Sequence, residues 1–338
     1  MSKKIIKKHK LGFPWITLDP FLFCVHHLDY YPKANAEMGP DASLQGRNIG
    51  NDFVTKDGWR MYHGDKVPGF PAHPHRGFET VTFVMQGMVD HADSAGGAGR
   101  YGNRDVQWMT AGSGLLHSEM FPLLDKENPN TTELFQIWLN LPAAKKMVQP
   151  SYKMLWGEDI PAPVFEDEQG RKTQVDIVAG SIDGNKAPEP VADSWAANPE
   201  NGVAIWQLKM EENATWQIPA AAKGINRMFY FFEGETVQLD NETISPGNAV
   251  ELVASEAIEL KNGAKKSRCL ILQGKPINER VVQYGPFVMN SEAEIQKAFQ
   301  DYRDTEFGGW KWPRPDQVFD KNKGRFARYS DGTEVVKE

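Results

Sequence analysis

The sequence contains few cysteines and no long apolar run. Only Cys24 and Cys269 occur among its 338 residues, so it has neither a C-x-x-C zinc pattern nor the cysteine framework of a small secreted domain. No apolar stretch is long enough to span a bilayer. The lysine-rich start is followed by Pro14, Asp19 and Pro20, which makes it a poor signal peptide. These absences favour a cytoplasmic protein with no membrane partner.

Excess positive charge is also lacking. Lysine and arginine total 38 against 45 acidic residues, a net charge of -7, so a polyphosphate would be repelled and no direct nucleic-acid partner is expected. No G-x-S-x-G elbow, Walker loop or cysteine nucleophile signature is present, which disfavours hydrolysis by a catalytic triad. The G-x-G-x-x-G match at residues 97–102 does not open a helix, so it is predicted to be a hairpin loop.

Short apolar segments that end in turn residues dominate the chain. They are rich in Val, Ile, Phe and Trp, and they predict an antiparallel, all-β protein. One helix is predicted at about residues 291–306, because Ser291 and Glu294 form a capping box ahead of an apolar stripe. The length fits two domains, and a proline-rich stretch at 142–163 marks the boundary. We predict domains at residues 1–145 and 146–338, the second carrying the helix and a polar tail.

The two halves look like diverged copies of one unit. "FVMQG" ending at Gly87 resembles "YFFEG" ending at Gly234, and a glycine turn follows each of them. In this alignment four polar residues of the first copy are replaced by apolar residues in the second. His73, His75, His117 and Glu119 correspond to Ala220, Ala222, Leu252 and Ala254. All eight histidines precede residue 118. Any imidazole metal site therefore belongs to the first half.

The first half contains two pairs of metal-binding residue types at strand spacing. Residues two apart on a strand point to the same face, so His73 with His75, and His117 with Glu119, each present two side chains together. Three imidazoles and a carboxylate suit a divalent ion such as Fe(II), Mn, Ni, Cu or Zn. Spacing alone leaves Glu79 open as the alternative carboxylate.

Other residues near these pairs have structural as well as functional interpretations. Trp108, Met109, Phe78 and Phe83 would line an apolar substrate pocket, or they are simply core. His91 is expected to brace its loop rather than to bind metal.

Three long motifs resemble the pirin family of the cupin superfamily: "GFPAHPHRGFETVTFVMQG" at 69–87, "DVQWMTAGSGLLHSEM" at 105–120 and "VVQYGPFVMNSEAEIQKAFQDY" at 281–302. The resemblance implies a bicupin, with two antiparallel jelly-roll barrels and metal in the N-terminal one only. Its H-P-H and H-x-E motifs fall on His73, His75, His117 and Glu119, which favours Glu119 over Glu79.

The resemblance also implies a function. Family members bind iron, and several are quercetinases that open a flavonol with dioxygen, so Glu119 would serve as base as well as ligand. The alternative is a non-enzymatic, redox-dependent regulator that binds a protein partner. Two stretches depart from the family pattern, an insertion at about residues 30–68 and the tail beyond Gly309. Each of them would cover the pocket, form part of a dimer interface, or do neither.

Overall fold

The computed structural model describes residues 4–337, and most of its regular structure is β-strand. The strands are, in chain order, β1 Ile5–Lys10, β2 Phe21–Tyr31, β3 Gly69–His75, β4 Phe78–Gln86, β5 Met88–Asp93, β6 Ala98–Gly102, β7 Val106–Thr110, β8 Leu115–Met120, β9 Asn130–Asn140, β10 Ser151–Leu155, β11 Val164–Glu166, β12 Lys172–Ala179, β13 Ser181–Ile182, β14 Asn185–Lys186, β15 Ala204–Met210, β16 Thr215–Ile218, β17 Asn226–Glu233, β18 Val237–Leu239, β19 Glu242–Ile244, β20 Asn248–Val253, β21 Ile258–Asn262, β22 Ser267–Gly274, β23 Val282–Tyr284, β24 Phe287–Met289, β25 Arg325–Arg328 and β26 Glu334–Lys337. A single α-helix, α1, spans Glu292–Thr305 within the described residues. The predicted all-β class with a short C-terminal helix is confirmed.

The chain forms two compact units that are not contiguous in sequence. The histidine unit comprises His26–Gln136, Leu141–Gly157 and Glu279–Glu338. The second unit comprises Met1–Val25, Ile137–Asn140 and Glu158–Asn278. The helix and the tail therefore belong with the first β half in space, although the sequence boundary at residue 145 assigned them to the second. Local composition marks where the chain turns, but it does not reveal which distant strands will pair.

The histidine unit contains two antiparallel sheets around one core. Their strand orders are β10-β7-β4-β9-β2 and β26-β25-β6-β5-β8-β3. Val84 and Leu134 from the first sheet pack with Val89, Tyr101 and Ala327 from the other. Each large apolar side chain that is buried in this way contributes about 1.5–3 kcal/mol relative to an exposed one. The core between the sheets holds β3 and β8 in place, and these strands carry the candidate metal ligands.

The second unit repeats this arrangement with different strands. A seven-stranded sheet, β1-β20-β17-β22-β15-β12-β11, and a four-stranded sheet, β16-β21-β18-β19, enclose its core. Trp206 and Phe229 come from the larger sheet, while Trp216 and Leu239 come from the smaller. The core between these two sheets is therefore apolar.

The helix begins as its sequence predicts. The Ser291 hydroxyl accepts a hydrogen bond from the Glu294 backbone N–H, and the Glu294 carboxylate accepts one from the N–H of Asn290. A cap of this kind contributes about 1 kcal/mol. Ile295 and Ala298 are buried, and they pack against Phe287 of β24 within the histidine unit.

The polar tail extends the larger sheet of the histidine unit. β25 pairs with β6, so that Ala327 lies opposite Gly99, where an added Cβ would lie 2.9 Å from the carbonyl oxygen of Phe326. The hairpin-loop prediction for residues 97–102 is wrong, because Ala98–Gly102 is strand β6. A glycine at residue 99 allows the close approach of the tail strand.

A buried ion pair anchors this tail. Arg100 donates two hydrogen bonds to Asp90, and its remaining donors reach the carbonyl oxygens of Phe319, Asp320 and Lys323. Asp90 in turn accepts a hydrogen bond from the backbone N–H of Phe319.

Among the described residues, no helix is long and apolar enough to cross a membrane.

Candidate metal centre

Three imidazole nitrogens converge between β3 and β8. The two strands are antiparallel and His73 lies directly opposite His117, so both side chains point to the same face. The Nε2 atom of His73 is 3.1 Å from Nε2 of His75 and 3.1 Å from Nε2 of His117. Among residues 4–337, these histidines form the one group of three or more His, Cys, Asp or Glu side chains that is compact enough to hold a metal ion.

The protonation of these rings fits a cation at their centre. Nδ1 of His73 is 2.9 Å from the Pro71 carbonyl oxygen, and Nδ1 of His75 is 3.4 Å from that of Pro286. A carbonyl only accepts, so these contacts assign the proton to Nδ1 and leave a lone pair on Nε2. Lone pairs that face each other at this distance repel unless a proton or a cation lies between them.

Burial keeps the three rings neutral at neutral pH. It lowers the pKa of His73 to about 4 and holds the pKa values of His75 and His117 well below the ordinary range. Neutral imidazole is the form that binds a metal. Metal–imidazole bonds are about 2.0–2.1 Å long, and two such bonds at a right angle place their nitrogens about 2.9 Å apart. The tetrahedral angle would place them about 3.3 Å apart. The observed separation lies between these two values and therefore fits imidazoles bound to one ion.

Glu119 lies at the edge of this cluster. One carboxylate oxygen, Oε2, is 3.8 Å from Nε2 of His117. The Thr82 hydroxyl donates to Oε1 at 2.9 Å, and the side-chain amide of Gln136 donates to Oε2 at 3.2 Å. Burial raises the pKa of Glu119 above its ordinary value, although these hydrogen bonds lower it in part. The arrangement holds a carboxylate next to the three nitrogens.

Glu79 lies on the other face of β4. Thr82 contacts Glu119, and side chains alternate along a strand, so Glu79, three residues earlier, points away from that face. The carboxylate of Glu79 accepts a hydrogen bond from the Thr110 hydroxyl at 2.7 Å. The metal role of either glutamate remains a prediction, but the geometry supports Glu119.

The four predicted pocket residues do not share one face. The Phe78 ring lies 5.0 Å from that of His75. Thr80 lies two residues after Phe78 on β4, so the two share a face, and Met109 of β7 pairs with Thr80 on that face. Trp108 pairs with Val81, which points to the opposite face. Phe83 lies on the same face as Val81, since it is two residues further along β4. The structure thus brings Phe78 to the cluster and places Trp108 and Phe83 away from it.

A sharp turn after the H-P-H motif positions His75. Gly77 has φ of +85°, and an added Cβ there would lie 2.0 Å from the Val288 carbonyl oxygen. Arg76 beside it forms an ion pair with Asp301, with Nη1 2.8 Å from a carboxylate oxygen. Glycine is needed where β3 turns back into β4.

His91 braces the loop that follows β5. Its Nε2 is 3.2 Å from a carboxylate oxygen of Asp93, and Asp93 also accepts hydrogen bonds from the backbone N–H groups of Ala95 and Gly97. These contacts fit a structural role for His91 in this loop.

Sequence reasoning missed the residues that hold Glu119. Thr82 of β4 contacts one carboxylate oxygen and Gln136 of β9 contacts the other. A polar residue at an inward strand position was the signal that would have identified Thr82.

The two departures from the family pattern both reach β3. Tyr62 of the insertion packs against Phe70 with ring centroids 5.1 Å apart, and the Phe70 ring lies 6.4 Å from that of His73. From the tail, the Pro315 carbonyl accepts a hydrogen bond from the Ala72 N–H at 2.8 Å. Both additions therefore lie beside the strand that carries two of the histidines.

Comparisons with known proteins agree with this architecture. Residues 13–139 match the family model described as Pirin, and residues 205–308 match the model described as Pirin C-terminal cupin domain. A pirin-like protein of Solanum lycopersicum is 36% identical over 277 residues, covering 80% of this chain and 89% of that protein. The pirin of Homo sapiens is 33% identical over 252 residues, covering 73% and 80%.

A solved structure shows the same fold. Quercetin 2,3-dioxygenase from Acinetobacter baumannii superposes with a TM-score of 0.69 and 27% identity, over 90% of this chain and 98% of that one. The family models match both β halves of the sequence, and the chain belongs to the pirin family.

Proposed function

We propose that the histidine unit binds one divalent transition metal ion and uses it to cleave a flavonol-like phenol with dioxygen. Fe(II) is the metal that we propose first. The ligands would be His73, His75, His117 and Glu119. The observation that carries the proposal is the convergence of three neutral imidazole nitrogens at 3.1 Å. The likeness to the quercetin 2,3-dioxygenase from Acinetobacter baumannii supports the choice of reaction. Mn, Ni, Cu and Zn suit the same ligands.

The metal would supply one part of the chemistry. When bound, it would lower the pKa of a phenol hydroxyl and hold that group close to dioxygen. The remaining requirements are a group that accepts the phenol proton and a wall that orients the ring.

Glu119 would accept the proton of the phenol hydroxyl. Burial raises the pKa of this carboxyl group, and a carboxylate with a raised pKa is a stronger base near neutral pH. Thr82 and Gln136 hold the two carboxylate oxygens in place. The proton would pass from the phenol oxygen to a Glu119 carboxylate oxygen.

Two aromatic side chains would orient the substrate. The Phe78 ring lies 5.0 Å from that of His75, and the Phe70 ring lies 6.4 Å from that of His73. Apolar rings beside a polar cluster suit a flat aromatic molecule that carries one or two hydroxyl groups.

Anaerobic loading with Fe(II), followed by addition of quercetin and oxygen, tests the proposal. We expect quercetin loss, oxygen uptake and carbon monoxide release in equal amounts. His73→Ala and Glu119→Gln should abolish turnover. Glu79→Gln is the matched control, because this glutamate of β4 points away from the histidine cluster, and this variant should retain turnover. Metal binding without consumption of any phenol would contradict the dioxygenase proposal and favour the regulatory alternative.

A further inference from the structure

The second unit contains a cavity of about 440 Å³ that is separate from the histidine cluster. Its walls are largely apolar and include Val203, Trp206, Ala220, Ala222 and Ile225. Ala220 and Ala222 are the residues that align with His73 and His75 of the first copy. Since histidines are absent after residue 117, this cavity has no imidazole metal site.

One cation lies at the buried end of this cavity. Arg227 of β17 lines it and is only 1% exposed. Arg227 lies opposite Gln273 of β22, and Gln273 lies opposite Ala204 of β15. Directly paired residues of antiparallel strands point to the same side, so these three side chains share one face, and all three line the cavity.

The guanidinium of Arg227 is only partly satisfied. Its Nε donates to the side-chain oxygen of Gln273 at 2.7 Å, and Nη2 donates to the Pro219 carbonyl oxygen at 2.8 Å. Both acceptors are neutral. Its Nη1 is buried and has no hydrogen-bond partner in the described part of the chain.

Among residues 4–337, no carboxylate forms an ion pair with Arg227. The acidic residues around the cavity, Asp183, Glu189 and Glu200, are exposed, and Glu189 pairs with Lys186. Burial lowers the pKa of Arg227 to about 10, so the side chain remains charged at neutral pH. An unpaired charge in an apolar surrounding is costly, and buried charges are usually paired.

We propose that this cavity binds a small monocarboxylate with an apolar body, and that the carboxylate pairs with Arg227. The planar guanidinium of an arginine matches a carboxylate in charge and in hydrogen-bonding geometry. The alanine, valine, isoleucine and tryptophan walls would contact the apolar body. Lys186 also lines the cavity, but it is exposed and pairs with Glu189. One buried, unpaired cation beside apolar walls suits a monoanion with an organic body better than inorganic phosphate, which has no apolar surface to bury. The inference does not depend on the activity of the histidine unit.

Calorimetric titration of the full-length protein with benzoate tests this site. We expect saturable binding of benzoate and no measurable binding of benzamide, which has the same shape without the charge. Benzoate binding should persist in His117→Ala, because that change disrupts the histidine cluster and leaves the second unit intact. Loss of binding in His117→Ala would place benzoate at the metal centre and overturn the proposal.

Three variants locate the binding. Arg227→Met should weaken benzoate binding about ten- to hundredfold, since hydrogen bonds to charged groups are the strong ones. Arg268→Met is the matched control, because Arg268 lies on the neighbouring strand β22 and pairs with the exposed Glu233 outside the cavity. Ala222→Phe, at an exposed rim residue, should weaken binding by filling the cavity without touching the guanidinium.

Several results would overturn the assignment. They are the absence of saturable benzoate binding, equal binding of benzamide, unchanged affinity in Arg227→Met, and tighter binding of inorganic phosphate than of benzoate. Circular dichroism of each variant shows whether it has folded. If Arg227→Met fails to fold, Ala222→Phe decides the question alone.

Discussion

His73 and His117 are direct partners across the β3–β8 ladder, and their Nε2 atoms lie 3.1 Å apart. Their separation is set by strand pairing rather than by a mobile loop. Residues of β3 and β8 are paired on both sides of these two histidines, and this pairing, together with the core beneath it, holds the nitrogens in place without a bound ion. We therefore expect a metal centre that is largely formed before metal binds.

The first prediction compares the two glutamates of the histidine unit. Glu119→Gln should lower the affinity for Fe(II) at least ten- to hundredfold, because even the loss of a hydrogen-bond partner of a metal ligand has an effect of about that size. Glu79→Gln should leave metal content nearly unchanged, because Glu79 points to the other face of β4 and bonds to Thr110. Metal content after anaerobic dialysis measures both.

The two variants control for each other, since each replaces a buried glutamate by its amide. Equal metal loss from both would contradict the choice of Glu119 as the ligand. Unchanged content in both would mean that the three histidines suffice.

The second prediction concerns thermal stability. A ligand that binds only the folded protein stabilises it by about 2.7 kcal/mol at a concentration of one hundred times Kd. Fe(II) under anaerobic conditions should therefore raise the Tm of the wild type by several degrees and leave that of His117→Ala unchanged. Differential scanning calorimetry measures the shift. An equal rise in both proteins would place the ion elsewhere.

Much of the metal centre could be predicted from the sequence because it depends on one simple regularity. Side chains two apart on a strand share a face, and this sufficed to pair His73 with His75 and His117 with Glu119. The capping box at Ser291 and Glu294 was visible for a similar reason, since helix capping involves only a few consecutive residues. The sequence could not place Glu79, because its orientation depends on where β4 begins relative to the turn at Gly77.

Contacts between distant parts of the chain were beyond sequence reasoning. Nothing in the local pattern of Ala98–Gly102 shows that β25, more than 200 residues later, pairs with it. The same holds for the tail carbonyls that bond to Arg100. For this reason the strand β6 was interpreted as a loop, and the tail was assigned to the wrong half of the molecule.

The third prediction tests how the tail is anchored. Arg100→Met should destabilise the histidine unit by about 3–5 kcal/mol, because it leaves the Asp90 carboxylate buried without its partner. Arg328→Met should cost at most about 1 kcal/mol, since its ion pair with Glu334 is exposed to solvent. Urea unfolding measures both. Similar effects from the two variants would mean that the buried pair does not anchor the tail.

The fourth prediction concerns the pH dependence of stability. Burial, followed by the positive charge of Arg60, lowers the pKa of His27 to about 3. The ordinary value in an unfolded chain is about 6.5. Between these two values the unfolded chain binds a proton that the folded chain does not. The free energy of unfolding should therefore fall as the pH decreases through this window, by up to about 1.4 kcal/mol per pH unit.

His27→Gln should remove this contribution. Its Tm should fall less between pH 7 and pH 5 than the Tm of the wild type, although it starts lower because the contact of His27 with Tyr62 is altered. His63→Gln, the same substitution at an exposed histidine, is the control. An identical loss of Tm on acidification in wild type and His27→Gln would contradict the prediction.

The most direct measurement is the metal content of the purified protein after anaerobic equilibrium dialysis against Fe(II). The account predicts about one ion per chain in the wild type and in His63→Ala, and none in His73→Ala, His75→Ala or His117→Ala. Retention of the ion by folded His73→Ala, His75→Ala and His117→Ala, or its absence from the wild type, would contradict the claim that these three imidazoles bind a metal.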